Sequence, residues 1–371
     1  MGDDRSHQNF AQKQIHVIEF PDQASSIRSG EELDADKLAH FLRQALPGFD
    51  GPLTTLQFPN GYSNLTYLIK SGGREVVLRR PPVKTEVKSA HDMGREYRIL
   101  SRLWRVYPQS PKALAYCEDR EILGTPFYLL ERVKGVILRR DLPEGFFMSA
   151  ETMRRLTVSF IDNLANLHSL DYLTAGLGDL GKPEGYVKRQ VEGWIRRYQA
   201  SATDPIGLMD EVGAWFLANC PRESGAALIH NDYKFDNLVL DPLDLTKILG
   251  VLDWEMATIG DPLMDLGIAL SYWVEPSDPE DLQSIRFGPT TAQGSLTRQE
   301  LVERYEEKSR RNLHDPIFYY VYGLFRLAVI LQQIYYRYVK GATQDQRFAE
   351  LIASVKILAK SAARVVERDK I

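Results

Sequence analysis

Residues 228–240 read LIHNDYKFDNLVL, a histidine, two aspartates and an asparagine held between two apolar triplets. The flanks predict two short strands, and the polar residues predict a loop that those strands hold rigid. A solvated surface turn would explain the polarity, because Asp and Asn favour turns, but not the spacing. His230, Asp232 and Asn237 follow H-x-D-x-x-x-x-N, and Asp253 comes sixteen residues later at the end of the apolar run ILGVLD. A strand carrying Asn237 and a strand ending at Asp253 can form a hairpin that brings both oxygens together. A fold that satisfies this order needs a buried scaffold around a cleft.

The pattern matches what phosphoryl transfer requires: a base near an acceptor hydroxyl, oxygen ligands for divalent cations, and positive charge on the phosphates. Asp232 is the expected base. Asn237 and Asp253 are the expected magnesium ligands, since this ion takes one or two carboxylates plus neutral oxygens. His230 is expected to brace the loop rather than to move protons. A lone D-x-x-x-x-N would carry no weight, and Asp253 alone could be a strand-end cap. It is the order of strand, loop, hairpin and Asp that carries the reading.

Further upstream, FPNGYSNLTYLI lies between two predicted strands, where a phosphate-covering loop belongs. Gly61 permits close backbone approach, and Ser63 and Asn64 can donate to phosphate oxygens. Taken alone, NG is also an ordinary hairpin turn. In VVLRR, Arg79 stands where a phosphate-binding cation is needed, and Glu96 on the next helix can pair with it. Arg80 is the rival, and strand alternation allows only one of the two into the cleft.

The 371 residues suffice for two lobes. A net charge of −4 gives no basic surface that calls for nucleic acid or a membrane. Two cysteines, Cys117 and Cys220, make no disulfide framework, so a reducing cytoplasm is expected. The N-terminus lacks the apolar segment of a secretory signal. Ile317–Val339 is long and apolar, but Arg326, Gln332 and Gln333 mid-segment point to a buried helix.

Along the chain, residues 1–33 read as a polar tail. Residues 34–134 read as a lobe of antiparallel strands with a helix at its start and another around Glu96. Lys134-Gly135 is a plausible hinge. Residues 135–371 read as a mostly helical lobe containing the opening motif. The expected fold class is α+β, a bilobal arrangement of a small β-rich lobe and a larger α-rich lobe with a cleft between them.

LIHNDYKFDNLVL together with GVLDWEMATIGDPLMDLG resembles the aminoglycoside phosphotransferase and choline kinase family, relatives of the protein kinases. The resemblance implies a protein-kinase-like bilobal fold, with a small antiparallel β lobe carrying one main helix and a larger mostly helical lobe. It implies ATP and Mg as cofactors, with Asp232 as base and Asn237 and Asp253 on the metal. It also implies that Arg79 and Glu96 form the phosphate-binding pair. YLLERVKG resembles the linker that holds adenine, through backbone near Glu131 and Val133, and Asp265 resembles a buried carboxylate supporting the catalytic loop. Two departures matter. The phosphate loop lacks a three-glycine pattern, and Asp253 is followed by Trp-Glu. The short segment from Asp253 to Leu263 argues for a small-molecule hydroxyl acceptor rather than a protein.

GYSNLTYLI, VVLRRPP and GYVKRQVEGWIRRY are most similar to the kinase-like domains associated with acyl-CoA dehydrogenases, which implies a functional link to such an enzyme and a hydroxyacyl-CoA-type acceptor. The alternatives are an antibiotic kinase, for which EPSDPEDL (275–282) could supply an acidic pocket, and a nucleotide-binding regulator without turnover. Solvated surface is the plainer reading of that acidic run. His168 is expected to cap its helix and Trp194 to pack.

Overall fold

The computed structural model describes residues 23–59, 64–82, 92–142, 146–343 and 345–371. In the first lobe, α1 (Ala35–Ala45) starts where the Asp34 side chain accepts the Lys37 N–H, and it buries Leu38 and Leu42. Three strands follow: β1 (Thr54–Gln57), β2 (Leu65–Ser71) and β3 (Arg74–Arg80). Gly72 and Gly73 make the β2–β3 turn with φ of 56° and 80°, a region that glycine enters without cost. Next come α2 (Met93–Leu103), β4 (Ala113–Cys117), the single turn α3 (Arg120–Leu123) and β5 (Phe127–Glu131). The strands form one antiparallel sheet in the order β1-β2-β3-β5-β4.

Alternation divides this sheet into two faces. Tyr67, Ile69, Leu78, Phe127 and Leu129 pack with α1 in a core of their own. Tyr128 and Leu130 face α2 and join the main core, with Val77 packed against it. Neighbours on β3 therefore look in opposite directions, which decides between the two arginines. Arg80 turns to the α1 side and donates to Tyr67 Oη, Leu123 O and Glu31 O. Arg79 turns to the α2 side. The expected tail boundary at 33 needs correction, because Ser25 and Gln57 exchange backbone hydrogen bonds at 2.8 Å each. The chain just before α1 thus adds to the β1 edge.

The second lobe holds α4 (Ala150–His168), α5 (Tyr186–Ser201), α6 (Gly207–Ala218), β6 (Ala227–Ile229), β7 (Leu238–Leu240), β8 (Ile248–Val251) and β9 (Thr258–Gly260). After these come α7 (Pro262–Ser271), α8 (Glu280–Ser284), α9 (Arg298–Ser309), α10 (Pro316–Val339) and α11 (Leu351–Arg368). β7 and β8 form the expected hairpin. β6 pairs instead with β9, a three-residue strand too short to be read from the sequence.

The helix α10 is long and apolar enough to cross a bilayer, but here it lies in the core, packed on α7, α5 and α11. It crosses α7 where Gly267 faces Gly323. A Cβ on either glycine would run into the backbone of the other helix.

The acidic run at 275–282 is not a free patch. Arg298 on α9 holds Asp278 through two nitrogens at 2.7 and 2.8 Å, and Glu275 accepts the Arg298 N–H. His168 also differs from expectation. It is fully buried between Tyr305 Oη at 2.8 Å and Asp265 at 3.1 Å, so it joins elements rather than capping one.

Candidate active site

The loop after β6 is held from both polarities of its backbone. Asp265, on the first turn of α7, accepts the N–H groups of His230 and Asn231, both at 2.7 Å. Burial alone would raise its carboxyl, but His168 and these amides hold it below the usual carboxylate range. From α10, Arg326 donates to the Asn231 carbonyl at 2.7 Å. Asn231 has φ of 64°, a left-handed conformation in which few residues other than glycine are found, so these contacts fix an uncommon turn. The turn delivers Asp232.

Both carboxylate oxygens of Asp232 are engaged. Oδ1 accepts from Tyr272 Oη at 2.6 Å, and Oδ2 accepts from Lys234 Nζ at 2.9 Å and Asn237 Nδ2 at 3.0 Å. Burial would push this carboxyl up, yet Lys234 and Tyr272 more than offset it, and the group lies below its ordinary value. It is a carboxylate at neutral pH. Tyr272 is pushed up to about 12 by burial and by the negative charge of Asp232, so it remains the donor.

Asn237 sits in a 3₁₀ turn just before β7 rather than on the strand itself. Its Nδ2 also donates to the Asp232 carbonyl at 2.8 Å, which leaves Oδ1 as the atom able to accept a cation. The Leu252 N–H donates to the Asn237 carbonyl at 2.8 Å, and the Leu252 carbonyl bonds to His230 Nε2 at 2.9 Å. The two peptide groups flanking Leu252 thus link all three segments, and His230 braces the loop as the sequence suggested. Asp253 follows directly, with φ of 69°.

Arg79 reaches this cluster from the other lobe. It donates to Asp253 Oδ1 at 3.1 Å and to Glu96 Oε1 at 2.9 Å. Glu96 also accepts the Trp254 N–H at 3.2 Å, so helix α2 is tied to the segment after Asp253. Asn64, expected over phosphate, instead donates to Glu255 Oε2 at 2.8 Å across the cleft. Burial, and then the negative charge of Asp253, push Glu255 up to about 8.

The donor set fits a hard divalent cation. Arg79 is surrounded by Glu96, Asp253 and Glu255, which leaves an excess of carboxylate at the hairpin tip. Among the described residues no three His, Cys, Asp or Glu side chains form a closed metal cage. Magnesium bound through one carboxylate, an amide oxygen and phosphate needs none.

Glu131 ends β5, and the Val133 side chain packs on Gly250 of β8, three residues before Asp253. Lys134 pairs with Glu75 at 2.8 Å, and Val136 exchanges backbone bonds with Leu240. The expected nucleotide linker therefore runs along the β7–β8 hairpin. Gly61, Ser63 and His91 lie outside the described residues.

The family model described as "Phosphotransferase enzyme family" matches residues 54–297, which contain every residue of this cluster except Arg326. The chain belongs to that family. It is 34% identical over 350 residues to acyl-CoA dehydrogenase family member 11 of Rattus norvegicus, covering 91% of this chain but 44% of that protein. The chain thus spans less than half the length of that curated relative.

A solved Ralstonia eutropha JMP134 structure, described as a candidate aminoglycoside phosphotransferase, is 31% identical with a TM-score of 0.77, covering 91% of this chain and 99% of that one. A thermostable mutant of aminoglycoside phosphotransferase APH(4)-Ia, solved with AMP-PNP and hygromycin B, superposes with a TM-score of 0.56 at 17% identity, covering 88% and 98%. The fold is that of the kinase-like phosphotransferases, α+β with two lobes, as expected from the motifs.

Sequence reasoning missed Lys234, Glu255, Tyr272 and Arg326. The first two stand inside the quoted motifs, at two residues past Asp232 and two past Asp253, so position alone could have singled them out.

Proposed function

We propose that the protein transfers a phosphoryl group from ATP to the hydroxyl of a small molecule, with a hydroxyacyl thioester as the acceptor class. The observation that carries this is the pair of bonds made by Leu252. Its N–H and carbonyl join the Asn237 carbonyl to His230, and this tie between loop and hairpin supports reading Asp232 as the base with Asn237 and Asp253 as metal ligands.

Asp232 orients the acceptor hydroxyl and takes its proton as the oxygen attacks. Lys234, beside the same carboxylate, offsets negative charge as the phosphoryl moves in line, and Arg79 does so from the upper lobe. Asn237 and Asp253 would hold Mg, which would supply positive charge against the phosphates. Gly61 and Ser63 would lie over the phosphates, with Asn64 held on Glu255 beside them, and the Glu131–Val133 backbone against the base.

The similarity to proteins named as acyl-CoA dehydrogenase family members supports an acyl acceptor and a functional link to such a dehydrogenase. An antibiotic kinase is disfavoured because Glu275 and Asp278 already neutralise Arg298 and are not available to a polycation. A regulator without turnover would have no use for a carboxylate held charged by three donors.

The test is ATP-to-ADP conversion with Mg against hydroxyacyl thioesters, aminoglycosides and simple alcohols, with Asp253→Ala as the blank. Turnover stimulated by an acyl acceptor above the blank is expected. Stimulation by aminoglycosides alone, or none by any acceptor, overturns the reading.

A further inference from the structure

Arg326 lies in α10 with 2% of its surface exposed, yet among the described residues no carboxylate stands within 4.0 Å of it. That is unusual, because a buried charge is ordinarily paired or saturated with hydrogen bonds. Among the described residues the other buried arginines obey the rule, as does the nearly buried Arg79, which has Glu96 and Asp253. Arg298 has Asp278. Arg80, without a carboxylate, uses three nitrogens on Tyr67, Leu123, Glu31 and Glu32. Among the same residues Arg326 uses one: Nη2 donates to the Asn231 carbonyl at 2.7 Å and approaches Met256 Sδ at 3.2 Å.

Its position makes the remaining donors informative. The carbonyl it holds belongs to the peptide that leads into Asp232. The methionine it touches follows Glu255 and is 37% exposed, so solvent reaches within one flexible side chain of the guanidinium. Beneath it lies the Trp194 ring, 5.2 Å from the guanidinium carbon, with Arg197 at 4.6 Å from the same ring. The nucleotide side of the cluster is served by Arg79 from the upper lobe. Arg326 rises from the lower lobe, holds the carbonyl next to Asp232, and lies near enough for its charge to act on both Asp232 and Tyr272.

We propose that Arg326 is the acceptor-recognition residue. Its free guanidinium nitrogens bind the planar acyl oxygen of the hydroxyl-bearing substrate, whether a carboxylate or a thioester carbonyl, and so set the hydroxyl against Asp232. A guanidinium fork suits such a planar group better than a point charge would. The inference rests on the phosphotransferase reading and adds to it the group by which the acceptor is chosen.

The first readout is binding without turnover. Because Arg326 sits on Trp194, an acyl oxygen on its guanidinium changes the emission of that ring, and the difference from Trp194→Phe isolates the signal. The probes are 3-hydroxyhexanoate, its N-acetylcysteamine thioester and hexane-1,3-diol, titrated with Mg and AMP-PNP present. A saturable response to the acid or the thioester and none to the diol is expected, and which of the two saturates identifies the source of the oxygen. The response is expected to weaken about tenfold or more in Arg326→Lys and to vanish in Arg326→Gln, since a hydrogen bond to a charged group contributes roughly that much.

A merely structural Arg326, propping the Asn231 carbonyl, gives a different result. Arg326→Lys, which can still donate there, would bind like wild type, and Arg326→Gln would lower kcat for all acceptors with KM unchanged. That pattern, an equal response to the diol, or no saturable response in folded wild-type protein overturns the proposal. Thermal melts of both variants separate loss of binding from loss of fold. Acyl binding without ADP formation would sink the phosphotransferase reading instead, so the two failures are distinguishable.

Discussion

Arg79 stands 3.1 Å from Asp253, a strand arginine of one lobe directly on the carboxylate at the hairpin tip of the other. Without it, Glu96, Asp253 and Glu255 would face one another with no cation between them. A nucleotide with its metal must share this carboxylate with Arg79. The same guanidinium therefore ties the two lobes together and, in the function proposed above, is the group that would meet phosphate.

Arg79→Ala is accordingly expected to raise KM for ATP and lower kcat together. Each charge-assisted hydrogen bond it makes is worth about 1.5–3 kcal/mol, roughly ten- to a hundredfold in rate or affinity. Arg79→Lys keeps the charge but not the fork, and should recover only part of the loss. Steady-state kinetics with varied ATP and direct nucleotide titration check this. Unchanged ATP kinetics in Arg79→Ala would remove Arg79 from the phosphate site.

Tyr272→Phe removes the donor to Asp232 Oδ1 and little else, since the ring keeps its packing on Phe287. That hydroxyl and Lys234 hold the carboxyl low against burial, so losing one of them lets it rise. The acid limb of the pH–rate profile should therefore move to higher pH, with a smaller loss at alkaline pH. A profile that falls uniformly, with no shift of its acid limb, would show that Tyr272 does not act through Asp232.

What the sequence made legible was local. Asp232, Asn237 and Asp253 stand at fixed offsets within one loop and one hairpin, and the backbone of that unit brings them together. Strand parity showed that only one of Arg79 and Arg80 could enter the cleft, but which one waited on the cores either side of the sheet. Tyr272 and Arg326 were not legible, because they come from helices 40 and 95 residues away from the groups they touch. Their helices read as apolar core, which they mostly are. Glu275 and Asp278 looked like solvated acid because nothing near them in sequence announces Arg298. β9 has three residues and no period to detect.

Asp265 supports the loop without touching its chemistry. Asp265→Asn puts an amide N–H against the His230 or Asn231 N–H, or against His168, in a fully buried site. The expected cost is about 2–4 kcal/mol, from a broken buried network. Chemical denaturation should show it as a lower midpoint. Activity should fall further than stability alone explains, since Asp232 loses its fixed seat. A variant with wild-type midpoint and rate would contradict the support role.

The α7–α10 crossing tests the packing of the large lobe. Gly267→Ala would drive a methyl into the Tyr319 carbonyl, which is rigid helix backbone rather than a mobile side chain. Overpacking of this kind costs about 1–3 kcal/mol or more. The melting temperature should fall by several degrees, with Asp232 displaced along with α7. An alanine variant as stable as wild type would mean the helices can part at no cost.

Glu75 gives the lobe linker a pH dependence. It binds Arg132 at 2.7 Å and Lys134 at 2.8 Å, and these contacts lower its carboxyl to about 2 from 4.5. A depressed folded-state value means that the stabilisation is fully present above pH about 4.5 and is lost as pH falls towards 2. Lys134 is largely exposed, so solvent screening limits the gain to about 1 kcal/mol. Glu75→Gln should therefore melt slightly below wild type at pH 7, and the gap should close between pH 4.5 and 2. A gap that persists at the acid end would show that the residue contributes by packing and not by charge.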